Sequence, residues 1–582
     1  MSNGHRGIKM DAMQRRDLFA HSRSGLGVLC VMSAFLFPFY ESASRDALQQ
    51  MFALAMLPIA AVLFGLSAIP LAATCVLAAT VTLMALAPSA YWGGHIASIA
   101  ALLLLTVACH LGANLQRHSA RLQWLLVAIS AAAVINAAEG LLQWFGLASN
   151  LWPWVIEPEA RGRAFGVFRQ PNLFATFLSI GVICTIWLVQ LRRVSEAMAW
   201  FLLLGITYAL TASGSRVGVL ELGSLAAAGM VWSRQQRAVI TRLMVGPLVM
   251  AGLATLTLPF AAKWHGFGFS SALNRAANAG QDLRLVLWSN VLDLIRDRPW
   301  TGWGWQEIAY GHYVTIFEHR SSEMVGNAHN LPLQIAVEFG VPVALAFFGL
   351  LGWGVCVGKP WRIDGAEERE GVVFESGRQF AWAMLLSVGI HSMLEFPLWY
   401  AGFLFLTGIA AGYLLPLGAI AKYSVNYRVW SPRIASVGAV LLIALSVVAW
   451  QQFAKVVLVS KTPFNVRQAK VDALAYATDA WLFRGYLDFV ELGLIEVTPE
   501  NASDVRIRAE KLLHLSAEPA VIRPLLLSLW YLGDTEAWRF HAERFCRAFP
   551  STYQRWAKDN NTHPMFLEAR GLSEPCRRLL DE

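Results

Sequence analysis

The sequence predicts an all-α, polytopic membrane helix bundle of about 13 spans, with an outer loop domain and a C-terminal α-helical hairpin domain. Three observations carry this reading. Hydrophobic residues make up 56% of the 582-residue chain and charged residues only 15%, against about 25% charged in a soluble globular protein. The apolar residues come in blocks of membrane-spanning length rather than alternating with polar ones. Lys and Arg, which set the net charge of +8, gather in short loops between those blocks, where they orient membrane helices.

By the criterion of roughly 17–25 apolar residues per helix, spans are expected near 25–41, 50–67, 69–87, 96–114, 122–145, 173–191, 197–212, 217–232, 239–260, 331–357, 379–394, 398–416 and 433–452. The stretch 1–24 reads as a cytoplasmic tail. The block Gly25 to Tyr40, with Arg15, Arg16 and Arg23 before it and Ser42-Ala43-Ser44 after it, has the form of a signal peptide. An uncleaved first helix is the better reading, because a dozen more apolar blocks follow. With the N-terminus inside, Arg117 and Arg121, Arg192 and Arg193, and Arg234, Arg237 and Arg242 all fall inside. So do Lys359, Arg362, Arg369 and Arg378, then Lys422, Arg428 and Arg433, while the outer loop from Pro88 to His95 carries almost no charge.

The resulting organisation is an N-terminal bundle over 25–260 with an outer loop at 146–172, a large outer loop over 261–330, further spans over 331–452, and an outer helical domain over 453–582. The 261–330 segment is too long and polar for a connector. Its Trp288, Trp300, Trp303 and Trp305 argue for an ordered, partly helical lid with aromatics at headgroup level. In the tail, 504–515, 520–532 and 535–548 place leucines and aromatics at helical spacing. This suggests hairpins of tetratricopeptide style, although the strict repeat consensus is absent.

Several function classes are excluded. No basic patch interleaved with aromatics suggests nucleic acid, and the seven cysteines lack zinc-ligand spacing. Cys30, Cys75, Cys109, Cys184 and Cys356 lie in apolar blocks and read as packing residues. Cys546 and Cys576 lie in the tail and are candidates to pair if that tail occupies an oxidising compartment. P-loop, GxSxG, HExxH and DxD patterns are missing, so neither cofactor nor metal is expected.

What remains is a set of polar groups on the outer face. Arg169-Gln170-Pro171-Asn172 stands where the chain re-enters the membrane; a helix-entry cap with snorkelling arginines is an equally good reading. Arg216 follows Ser213-Gly214-Ser215 at an outer span end, where the positive-inside bias makes an arginine less expected. Arg284, in Gln281-Asp282-Leu283-Arg284, reads first as a solvated charge on an amphipathic helix. Asn327-Ala328-His329-Asn330 closes the long loop, with Gln334 and Glu338 following along the next span. His391, Glu395 and Tyr400 surround the next outer turn. Single histidines are more often structural, but two at span ends beside carboxylates shift the balance. Outward-facing arginines, a histidine and amides at the lipid boundary suit a lipid-linked anion.

The run Gly166-Val-Phe-Arg169-Gln170-Pro171-Asn172, then Gly302-Trp303-Gly304, Asn327-Ala-His329-Asn330-Leu-Pro-Leu-Gln334 and Glu338-Phe-Gly340 resembles the O-antigen ligase/polymerase superfamily. The Gln-Pro-Asn element, the stretch from His391 to Tyr400 and the helical tail are similar to one branch, the bacterial protein O-oligosaccharyltransferases of PglL type. The resemblance implies a bacterial inner-membrane enzyme. It would transfer a glycan en bloc from undecaprenyl diphosphate to Ser or Thr of periplasmic acceptor proteins, pilin among them, without nucleotide or metal. Carried over, His329 resembles the essential histidine, and Arg216 and Arg284 the diphosphate-contacting arginines, with Arg169 beside them. Gln170 and Tyr400 resemble further activity-linked positions, and Asn172, His391 and Glu395 are expected to orient substrate. An O-antigen ligase acting on lipid A core, or a polymerase, shares fold and donor. From another class, a transporter or flippase would show internal repeats and helices broken at the midplane, which the sequence does not.

Overall fold

The computed structural model describes residues 12–38, 45–86, 90–158, 161–269, 271–272, 283–321, 325–362, 372–416, 423–559, 565 and 572–581. The cleavage candidate Ser42-Ala43-Ser44, together with Gln281, Asp282, Arg369 and Lys422, lies outside these residues. Among the described residues the secondary structure is helical, with no strand.

Among the described residues nine α-helices come first: α1 (Ala12–Leu36), α2 (Arg45–Phe64), α3 (Leu71–Leu86), α4 (Trp92–Leu115), α5 (Ser119–Trp144), α6 (Pro171–Gln190), α7 (Glu196–Ala212), α8 (Arg216–Val231) and α9 (Ala238–Trp264). The long loop adds α10 (Leu283–Asp297) and α11 (Ile308–Val314). After it run α12 (Leu331–Phe339), α13 (Val341–Gly358), α14 (Val372–Ser392), α15 (Ala401–Leu414) and α16 (Val425–Lys461). Among the described residues seven helices (α2, α4, α5, α6, α9, α13 and α16) are long and apolar enough to cross a membrane. Stretches in α1, α3, α7 and α15 are shorter but also apolar.

Helix α6 is the axis of the bundle. It is apolar on all sides, and from Leu173 to Val189 every residue is buried, as expected of a helix ringed by α5, α7, α8, α9 and α14. Helix α13 is its opposite: equally apolar, yet with Ala344 alone buried. A large apolar surface of that kind needs lipid to cover it. Between α4 and α15 the backbones nearly touch, because a Cβ on Gly412 would stand 2.1 Å from the Cys109 carbonyl oxygen. Small residues four apart, here Gly408 and Gly412, are what lets membrane helices approach so closely.

The expected tenth span, 331–357, is two helices. Gly340, at φ +85°, breaks it, and a Cβ there would lie 2.4 Å from the Trp300 carbonyl oxygen. The break lets the long loop bind α12 by its backbone: Trp303 N donates to Val337 O (2.8 Å), Gly304 N to Glu338 O (3.0 Å) and Val341 N to Pro299 O (2.8 Å). Periodicity alone could not reveal this, since both halves are apolar.

The tail holds α17 (Arg467–Tyr476), α18 (Arg484–Leu492), α19 (Ala502–Leu513), α20 (Pro519–Tyr531), α21 (Thr535–Ala548), α22 (Pro550–Asp559) and α23 (Glu574–Asp581). From α18 onward each packs on the next around a core that includes Leu525, Leu529, Trp538 and Phe545. Cys546 and Cys576 are joined as a disulfide, their Cα atoms 5.7 Å apart. This tail leans on the long loop: Tyr313 is buried in its core, Arg544 Nε donates to Val314 O at 2.7 Å, and His514 Nδ1 meets Glu307 Oε2 at 2.7 Å. It also reaches the start of α4, where Tyr91 donates to Asp488 at 3.1 Å. Long loop and tail therefore share one end of the bundle.

Candidate active site

At that end, four segments converge on one carboxylate. Glu395 sits in the turn after α14, where its N–H donates to His391 O at 2.9 Å, and only 8% of the residue is exposed. Its Oε1 accepts from the guanidinium of Arg284 on α10 and from Asn172 Nδ2 on α6 at 3.2 Å. Its Oε2 faces His329 Nδ1 at 2.7 Å. Burial by itself would raise this carboxyl, but the hydrogen bond from His329 and the positive charge of Arg284 outweigh it and hold the group below the usual carboxylate range. An ionised carboxylate only accepts hydrogen bonds. The bond therefore places the His329 proton on Nδ1 and leaves Nε2 as the basic nitrogen, a tautomer assigned from the network.

The backbone holds His329 in an uncommon conformation. It has φ +50°, rare for a residue with a side chain. Neighbours pin it there: its N–H donates to Asn327 Oδ1 at 2.7 Å, and Ala328 is fastened on both sides. Gln334 Oε1 accepts from Ala328 N at 2.7 Å, and Trp288 Nε1 donates to Ala328 O at 3.0 Å. Asn330 caps α12 through Leu333 N (3.1 Å) and reaches across to Met393 O (3.0 Å). Such local strain persists where the surroundings over-determine it, and such places cluster at functional sites. The ring lies edge-on to Phe396, 5.0 Å between centroids, with its side chain one-third exposed.

Three family models match the chain in succession: one described as a protein glycosylation ligase over residues 164–189, one as an O-antigen ligase over 197–348, and one as the C-terminal part of a virulence factor membrane-bound polymerase over 379–563. The chain is thus similar in successive stretches to protein glycosylation ligases, O-antigen ligases and membrane-bound polymerases. Each matched stretch supplies one wall of the site: Asn172 from the first, Arg284 and His329 from the second, Glu395 from the third. A general O-oligosaccharyltransferase of Acinetobacter baylyi is 26% identical over 317 residues, which cover 52% of this chain and 53% of the relative. The chain thus matches about half the length of that curated relative.

The remaining residues singled out by the superfamily resemblance lie around this network. Gln170 is the N-cap of α6, its side chain accepting from Leu173 N at 2.5 Å. Arg169, before it, has φ +57° and is half-buried, as is Arg216 at the start of α8. Arg216 neighbours the network directly: Ser215, the N-cap of α8, donates to Asn172 Oδ1 at 2.7 Å. Tyr400 stacks on Phe396, centroids 6.2 Å apart. His391 is fully buried behind the site, its Nδ1 2.7 Å from Thr176 Oγ1, which donates in turn to Glu221 Oε1 at 2.6 Å.

Sequence reasoning missed Thr176 and Glu221, and also Gln143 and Asn136. The side chain of Gln143 donates to Ile156 O (3.1 Å) and Gly166 O (2.8 Å) and accepts from Gly166 N (2.8 Å). Asn136 Oδ1 accepts from Val167 N at 3.3 Å. Together they set the loop that delivers Asn172. A carboxylate or amide inside an apolar span was the available signal for all but Thr176.

Proposed function

We propose that this protein transfers an oligosaccharide en bloc from an undecaprenyl-diphosphate carrier to Ser or Thr hydroxyls of exported proteins such as pilin. The observation that carries the proposal is the His329–Glu395 pair. Glu395 orients the imidazole, and His329 Nε2 takes the proton of the acceptor hydroxyl as its oxygen attacks the anomeric carbon. The glycosidic C–O bond breaks and the electron pair leaves with the lipid diphosphate. Arg216, Arg169 and Arg284 stand around the site to stabilise that charge. Gln170, His391 and Tyr400 support the walls, and Asn172 orients substrate.

The chain is read as multi-pass in the bacterial inner membrane, with about thirteen crossings, the N-terminus cytoplasmic, and the tail a periplasmic array of helical hairpins. The Cys546–Cys576 disulfide supports the placement of the tail, since such bonds persist in oxidising compartments. A second reading is kept because of the match to an O-antigen ligase model: the acceptor would then be lipid A core. Mass spectrometry of exported proteins with and without the gene separates the two. Loss of Ser/Thr-linked glycopeptides on deletion is expected. Intact glycopeptides with loss of lipid A-linked O-antigen would overturn the protein acceptor.

A further inference from the structure

A cavity of about 250 Å³ opens beside the loop that carries His329, between α12, the outer turn, the long loop and the tail. It is lined by Trp305, Gln306, Gln334, Glu338, Trp399 and His514, among others. Glu338 is 3% exposed. One of its oxygens, Oε1, accepts from Gln306 N at 3.0 Å; the other, Oε2, is buried and has no hydrogen-bond partner among the described residues. A buried polar atom without a partner calls for an explanation, and a hydroxyl donor from a ligand would supply one. Trp305 is locked in place by Ser98 (Nε1 to Oγ, 3.1 Å) and by stacking on Phe339. Trp399 is 45% exposed and lies edge-on to Phe396, which in turn lies edge-on to His329.

We propose that this cavity is a saccharide subsite, holding one sugar ring of the lipid-linked glycan beyond the ring that reacts. The proposal rests on the donor reading above. A pyranose presents an apolar C–H face and a rim of hydroxyls, joined by an acetamido group in the amino sugars. An exposed indole matches the face, and a carboxyl with two amides matches the rim. At about 250 Å³ the space is on the scale of one sugar ring rather than a folded peptide segment. The placement fits as well: a glycan whose reducing end lies against the arginines runs outward from the lipid, toward the gap between outer turn and tail. Phe396 and Trp399 would then form a continuous aromatic path from His329 into the cavity.

The test is steady-state transfer by the purified full chain, comparing wild type with Trp399→Ala and Glu338→Gln. The donor is lipid-linked oligosaccharide extracted from the host membrane. A rise of about tenfold in donor KM is expected for each variant, with acceptor KM unchanged and kcat altered by less than about twofold. A rise in acceptor KM with donor KM unchanged would make the cavity a peptide site and overturn the proposal. Unchanged constants in Trp399→Ala, whose exposed side chain can be removed without unfolding the chain, would also overturn it. Binding of the free oligosaccharide, released from the lipid and followed by tryptophan fluorescence, should weaken in the same variants. That readout needs no acceptor, so the subsite stands or falls separately from the choice between protein and lipid A.

Discussion

His329 Nδ1 and Glu395 Oε2 lie 2.7 Å apart across 66 residues of sequence. That contact joins the mouth of α12 to the turn after α14, and it converts an ordinary imidazole into one with a fixed tautomer.

Replacing His329 with Ala should leave folding and membrane insertion intact, because its side chain is one-third exposed. Transfer should fall roughly 10²–10⁴-fold for want of a base. Glu395→Gln should fall by a smaller factor, mostly in kcat, since Nε2 remains but its orientation is loosened. In vitro glycosylation with purified protein and lipid-linked donor measures both. Near wild-type turnover by His329→Ala would remove histidine from the mechanism.

Arg284 shares the Glu395 carboxylate with His329. Arg284→Ala should weaken donor engagement and also leave Glu395 less well neutralised. Arg284→Lys should rescue only in part, because lysine lacks the planar fork. A double-mutant cycle with Glu395→Gln should return a coupling of about 1–3 kcal/mol; additive effects would mean that the two act independently.

Removing the tail disulfide by Cys546→Ser and Cys576→Ser opens a crosslink spanning 30 residues. The chain-entropy relation puts the loss at about 3–4 kcal/mol. Thermal unfolding of the purified chain, alongside non-reducing peptide mapping of the wild type, checks this. Recovery of both thiols as free would refute the pairing.

Gly412→Leu drives a side chain into the α4 backbone, where even a Cβ stands 2.1 Å from Cys109 O. The folded yield in detergent should collapse. Gly252→Ala, on α9 with nothing within 4 Å of its Cβ, should be tolerated. Size-exclusion profiles of the two variants make the comparison, and similar behaviour would show that the α4–α15 contact is dispensable.

His514 binds Glu307 and stacks on Tyr310 at 4.2 Å. The hydrogen bond to Glu307 raises the His514 pKa above 6.5, outweighing burial. A raised folded value means that the contact contributes fully below about pH 6.5 and is lost as pH rises through the folded pKa. Hydrogen exchange at 305–314 and 510–516 should therefore be faster at pH 9 than at pH 6 after correction for intrinsic rates, and Glu307→Gln should abolish the difference. A flat wild-type profile would show that His514 does not hold the tail down.

How much of this was legible beforehand depends on the kind of signal. Helices α6 and α13 announce themselves equally by apolar composition, yet one is the buried axis and the other faces outward; hydropathy measures compatibility with oil, not which neighbours supply it. The break at Gly340 escaped because it depends on Trp300 lying opposite, a contact across 40 residues. His329 and Glu395 were each recognisable as polar groups at a span end. Their bond was not, since nothing local records that α10, α12 and α14 end at one point. Gln170 illustrates the reverse: its cap to Leu173 is a local interaction, and the sequence Gln-Pro-Asn before an apolar run already spelled it.

Helix α16 runs unbroken for 37 residues, about 55 Å at 1.5 Å per residue, against a hydrocarbon thickness of about 30 Å. It is a mast that enters the tail, and the tail is moored elsewhere by Tyr91–Asp488 and His514–Glu307. Two kinds of fastening on one body make its azimuth a fixed quantity. Lengthening α16 by a single residue would lift the tail only slightly but swing it through about 100°, tearing both moorings. Natural or engineered changes in the length of this helix are thus restricted by phase, and whole turns are the increments it can absorb.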